Sequence, residues 1–255
     1  GLIATSAIAL SAESARAFDF NAVGGTGLGS CAPLVDDVTV PLFKAFIDET
    51  DDISTCTTED GFTLNVDQPG DGFLQGKKVG DVTGVGISVP EPGPVPGEIQ
   101  HGEILDVTLD EASKIGSIDL GFLYLPPVFI DKVFEVAEIT AKIDGNDVTG
   151  TLTVTGEDTA VWSLGAIVQN LALSKEVEGG SYSILDPFGE DLVSSLIFTA
   201  PDVPGIDAPR DSDYALVGIA KADEDDEIIP EPATLLGLGV VGGLMAVSRR
   251  KKSSR

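Results

Sequence analysis

Few residues in this chain could do chemistry, and their spacing narrows what it would be. Cys31 and Cys56 are the only cysteines. One pair is what one disulfide needs, and closing a loop of about 25 residues stabilises by roughly 3 kcal/mol in the chain-entropy model. A nucleophilic thiolate would need a base, and His101 is the only imidazole. His101 lies between Glu98 and Glu103, and two carboxylates with an imidazole could hold a metal. Oxygen ligands alone suit calcium better, because Ca²⁺ takes six to eight hard donors. Candidate clusters are Glu98 with Glu103, Asp48-Glu49 with Asp51-Asp52, and Asp211 with Asp213. None has EF-hand spacing, and solvated acidic turns are the plainer reading. No cofactor follows from these residues alone; calcium is the candidate, with Glu98 and Glu103 as its first ligands to consider.

Other chemistries are poorly supplied. Gly27-Leu28-Gly29-Ser30-Cys31-Ala32 matches G-x-G-x-x-A, but a dinucleotide site needs a strand before it and a helix after it. Here Pro33 follows at once. The chain has no G-x-S-x-G, P-loop or H-E-x-x-H motif. Paired carboxylates for glycoside hydrolysis are available in number, but nothing singles out a pair. One Trp and three Tyr supply a sugar-stacking cleft poorly. Trp162, in AVWSL, reads as core.

Charge sets the wider frame. Fifteen Lys and Arg stand against 42 Asp and Glu, a net charge of −27. Nucleic-acid binding needs a basic surface, so that partner class is excluded. Residues 18–229 hold nine of the 15 basic and 40 of the 42 acidic residues, so this stretch alone carries −31. The last eight residues, SRRKKSSR, carry five positive charges and no negative one. Segments so different are made for different surroundings.

The elements that must position these residues read as strands. Expected strands are Phe62–Val66, Val82–Val89, Glu103–Leu109, Ile118 through Tyr124, Val133–Ile143 and Val148–Thr155. More follow at Ala160–Leu164, Ile167–Leu173, Ser181–Leu185, Leu192–Phe198 and Tyr214–Ala220. Asp144-Gly145 between two period-two runs is a hairpin signal. Many short strands with turn signals between them predict an all-β fold, a jelly-roll-like β-sandwich spanning 18–222. Its acids are expected on the wet faces. One helical turn is expected within Pro41–Ile47.

The two ends read as addresses. GLIATSAIALSA is apolar and uncharged, and Ala15-Arg16-Ala17 is an A-x-A site that signal peptidase accommodates. Residues 1–17 are therefore expected to be a signal peptide lacking its charged start, cleaved before Phe18. At the other end an acidic spacer, 223–229, meets Pro230-Glu231-Pro232. A charge-free span, 233–248, and then Arg249-Arg250-Lys251-Lys252 follow. A single apolar helix of sixteen residues would measure about 24 Å, short for a hydrocarbon core of about 30 Å. The basic cluster would hold its end on the cytoplasmic side, leaving the acidic body outside.

This motif, span and basic cluster resemble the PEP-CTERM sorting signal of Gram-negative bacteria and cyanobacteria. The resemblance covers 230–255. It implies transient membrane insertion and processing by an exosortase, a membrane-embedded cysteine protease, after signal peptidase has acted. It also implies a final place at the outer surface or outside the cell. Residues 81–111 resemble the central part of PEP-CTERM surface domains, through Gly84, Gly86, Glu98, Ile99 and Glu103. Pro90-Glu91-Pro92 is a second PEP without an apolar span behind it, so it cannot act as a sorting signal. The expected function is that of a non-enzymatic surface or extracellular-matrix protein, with extracellular polysaccharide as a candidate partner. A secreted polysaccharide hydrolase and a calcium- or glycan-binding adhesin module are the alternatives.

Overall fold

A computed structural model describes residues 16–21, 25–35, 53–67, 72–89, 97–126, 128, 134–175, 180–201 and 212–222. Within them the chain is all-β, in two seven-stranded antiparallel sheets. The first sheet holds β1 (Arg16–Asp19), β4 (Phe73–Val79), β5 (Val82–Ser88), β7 (Ile115–Gly121), β11 (Ile167–Ala172), β12 (Ser181–Leu185) and β14 (Ala215–Lys221). Its order is β11-β12-β7-β14-β5-β4, with β1 also paired to β14. The second holds β2 (Thr55–Thr57), β3 (Phe62–Val66), β6 (Leu105–Ser113), β8 (Val136–Ile143), β9 (Asn146–Val154), β10 (Ala160–Trp162) and β13 (Val193–Thr199). Its order is β10-β9-β8-β13-β6-β3-β2. The last two strands fill gaps left earlier: β13 sits between β6 and β8, and β14 between β5 and β7.

The alternation read from sequence explains the core. Ala137, Ile139, Ala141 and Ile143 of β8 face inward with Val107, Leu64 and Phe198 of the same sheet. They share one cluster with Val85, Ile118, Leu120 and Leu216 of the other, as a sandwich requires. The β8–β9 turn has Asp144 at φ 50° and Gly145 at φ 79°, the left-handed pair of a type I′ hairpin. Trp162 is buried, and its indole N–H donates to the Pro187 carbonyl at 3.0 Å.

Several expectations need correction. The run through Tyr124 stops at Gly121, because Phe122 takes φ 66° and turns into a second cluster with Val82, Tyr124, Ala215 and Val217. β5 and β7 are buried at every position, so both faces of the first sheet's centre are covered. Acids expected on wet faces are accordingly found inside: Asp19, Glu98, Glu103, Asp119, Glu135 and Asp213 are all buried. β1, β2 and β4 are additional strands; the first two are short, and β4 carries Gln75, Lys77 and Lys78 in place of a clean alternation. The G-x-G-x-x-A segment lies within and just before a 3-10 helix, Gly29–Leu34, and not in a strand-turn-helix unit. Residues 41–47 lie outside the described residues.

Candidate functional site

The segment Gly97–Glu103, between β5 and β6, stitches the two sheets together at one end of the sandwich. Glu98 pairs with Ile87 beside β5, Ile99 with Tyr214 at the head of β14, and His101 with Ala200 just past β13. The Ile99 N–H donates to the Tyr214 carbonyl at 2.6 Å. The Tyr214 hydroxyl crosses the core to donate to the carbonyls of Thr199 (2.9 Å) and Glu138 (3.2 Å) in the second sheet. Burial holds the Tyr214 pKa well above the ordinary phenol value, so the hydroxyl stays a donor.

Two carboxylates are enclosed here. Glu98 is 2% exposed, and its Oε1 accepts from Lys77 Nζ of β4 at 2.5 Å. The same ammonium lies 5.0 Å from the Phe122 ring centroid. Glu103 is 4% exposed, and its Oε2 accepts the Gln100 N–H at 2.9 Å. Burial pushes the Glu103 carboxyl up to about 7; the Gln100 N–H works against this and the charge of Glu98 adds to it. Glu98 and Glu103 are close enough for their charges to interact, and Glu98 is paired with a lysine that the sequence reading overlooked. His101 is exposed. Among the described residues no group of three or more His, Cys, Asp or Glu is arranged to hold a metal ion.

Glycines explain why this segment packs so closely. A Cβ on Gly86 would lie 2.5 Å from the Glu98 backbone, and one on Gly84 would lie 2.8 Å from the Ala215 Cβ. Gly97 has φ 78° and sits against Lys77. The positions singled out in 81–111 therefore have architectural roles.

A shallow cleft of about 430 Å³ opens elsewhere, against Ile143, Val148, Leu164 and Phe188, with Asp186 and Asp191 on its walls. Phe188 stacks edge-on to Trp162 at 6.1 Å. Asp186 holds φ 47° in this loop. The only sequence signal for the cleft was the Asp-Pro turn after β12.

Cys31 and Cys56 form a disulfide, with Cα atoms 5.1 Å apart. It ties the 3-10 helix to β2. β1 begins at Arg16, two residues before the expected processing point, and Phe18 is buried against Phe20 (5.4 Å) and Phe62 (5.3 Å). Pro230, Glu231, Pro232 and the cluster Arg249, Arg250, Lys251 and Lys252 lie outside the described residues, as do Asp48, Glu49, Asp51, Asp52 and Asp211. Among the described residues no helix is long and apolar enough to cross a membrane.

The fold and this buried carboxylate corner define an all-β, disulfide-bonded, two-sheet protein. Compared with known proteins, the chain matches no protein-family model, no curated protein and no solved structure.

Proposed function

We propose that this chain is an exported, non-enzymatic surface or extracellular-matrix protein, sorted through Pro230-Glu231-Pro232. The observation that carries the reading is the sequence of the tail: a Pro-Glu-Pro motif, then a short charge-free span, then four consecutive basic residues. Pro230 and Pro232 fix φ and donate no backbone hydrogen bond, so they keep the motif extended for a protease cleft. The basic cluster anchors the inner end of the span. The Cys31–Cys56 disulfide supports the reading, because such bonds persist in oxidising compartments. The strand order supports a jelly roll, since β5, β6, β7, β8, β9, β12, β13 and β14 run through its double Greek key with further strands at the edges.

The test is processing in a host with a matching exosortase, with tags near both ends. The parent protein should lose most or all of 233–255 and leave the membrane. The variant with Pro230, Glu231 and Pro232 all changed to Ala should stay uncut in the membrane. Equal processing and delivery of the two would overturn the reading.

A further inference from the structure

One side of the sandwich lacks the charge that protects the rest. Residues 159–174, TAVWSLGAIVQNLALS, contain no charged residue in a chain that is 22% charged. They form β10 and β11, the terminal strands of the two sheets on the same side. Four large apolar side chains are exposed on these strands and the turn between them: Ile167 at 69%, Val161 at 57%, Leu171 at 47% and Leu164 at 45%. Edge strands in stable proteins are usually blunted by a lysine, a proline or an inward charge, because their free amide and carbonyl row is a template for pairing. β11, IVQNLA, has none of these. A bulge at Leu171 against β12 is its one irregularity, and Leu171 is still half exposed there.

We infer that β11 is the interface through which two copies of this chain pair, edge to edge and antiparallel, about a two-fold axis at Gln169. Two observations select a second copy as the occupant. The first is the pattern of β11 itself. Antiparallel pairing about Gln169 sets Ile167 against Leu171 of the second copy, Leu171 against its Ile167, and Gln169 against its Gln169. Apolar residues meet apolar residues, and the two carboxamides can bond each other. A two-fold interface demands this self-complementarity. The second is charge. Residues 18–229 carry −31, so two copies repel over most of their surface. A neutral strip lets them approach without burying unpaired carboxylates. The pairing makes one sheet continuous through both copies, and it closes on itself, because among the described residues each β11 has one free edge.

The test uses the full chain and compares variants that share the same tail. Sedimentation of the parent protein should show a dimer that tightens as ionic strength rises, because salt screens the repulsion between acidic bodies. Ile167→Lys with Leu171→Lys should shift the dimer to monomer by at least tenfold in dissociation constant, with unchanged circular dichroism. Asn146→Lys, at the exposed β8–β9 turn, should leave it intact. Gln169→Cys should give a disulfide-linked dimer under mild oxidation, and Asn146→Cys should not. A parent protein monomeric at every salt concentration would overturn the inference. So would a dimer indifferent to the lysines, open-ended fibres, or no cross-link at 169.

Discussion

The backbone of Glu98 lies directly on Gly86, so close that a Cβ on the glycine would come 2.5–2.6 Å from three Glu98 backbone atoms, C, Cα and N. Backbone cannot swing aside as the end of a flexible side chain can. Gly86→Ala should therefore push the 97–103 segment off β5 and weaken its bonds to Ile87 and Tyr214. Overpacking of this kind costs about 1–3 kcal/mol. Urea unfolding should show a lower midpoint at an unchanged slope. A midpoint equal to the parent's would mean that the segment moves without cost.

Glu103 should make stability fall as pH rises. Burial, as the main cause, pushes its folded pKa up to about 7 from the ordinary carboxylate value of 4.5. The folded state then holds the proton more tightly than the unfolded state. The penalty is absent below about pH 4.5, grows through the interval and is complete above about pH 7, on the order of 3 kcal/mol. Glu103→Gln should flatten that interval and raise stability at pH 8. Denaturant melts of both proteins from pH 4 to 8 check this, and parallel pH profiles would dismiss Glu103 as the source.

The sequence disclosed the sandwich because period-two alternation survives wherever one face is wet. It served for β8 and β9, where Ala137, Ile139 and Ala141 alternate with half-exposed and exposed residues. It served less well for β7, where both faces are buried and Ser117, Asp119 and Gly121 occupy one of them. Lys77 shows the same limit at the site. A lysine in a strand reads as solvent-facing, and only the fold of 97–103 over β4 and β5 makes it the partner of Glu98. Glu98 and Glu103 were legible as neighbours through spacing alone. Their burial was not, since the segment that carries them is held by residues about a hundred positions later in the chain, Ala200 and Tyr214.

The disulfide should matter more to the 3-10 helix than to the sheets. Cys31 is fully buried in that helix, which is also held to β2 by Ser30: the Thr57 N–H donates to Ser30 Oγ at 2.7 Å, and that hydroxyl donates to the Thr57 carbonyl at 3.1 Å. Replacing both cysteines by alanine should cost about 3 kcal/mol, the entropy of the opened loop. Hydrogen exchange should rise around 29–35 and 55–57 and stay slow in β6, β8 and β13. Uniform loss of protection would show instead that the bond supports the whole core.

Lys77 should be the most sensitive position of the carboxylate corner. Its Nζ supplies the positive charge beside Glu98, which is 2% exposed and close enough to Glu103 to raise that group's pKa. Lys77→Met keeps an unbranched apolar stem and removes only the ammonium. Glu98 is then a buried carboxylate without its cation, and breaking a buried pair from one side costs about 3–5 kcal/mol. Adding Glu98→Gln to Lys77→Met should recover most of that loss, because the uncompensated charge is gone. Thermal melts of the two variants near neutral pH test this: equal losses would mean that the uncompensated charge on Glu98 is not what destabilises the Lys77→Met protein. The same ammonium decides the metal question. With Nζ already at the carboxylate, excess chelator should leave the parent protein's melting temperature where it is. A fall on chelation that Glu98→Gln with Glu103→Gln abolishes would mean that these two hold a divalent cation beside the lysine.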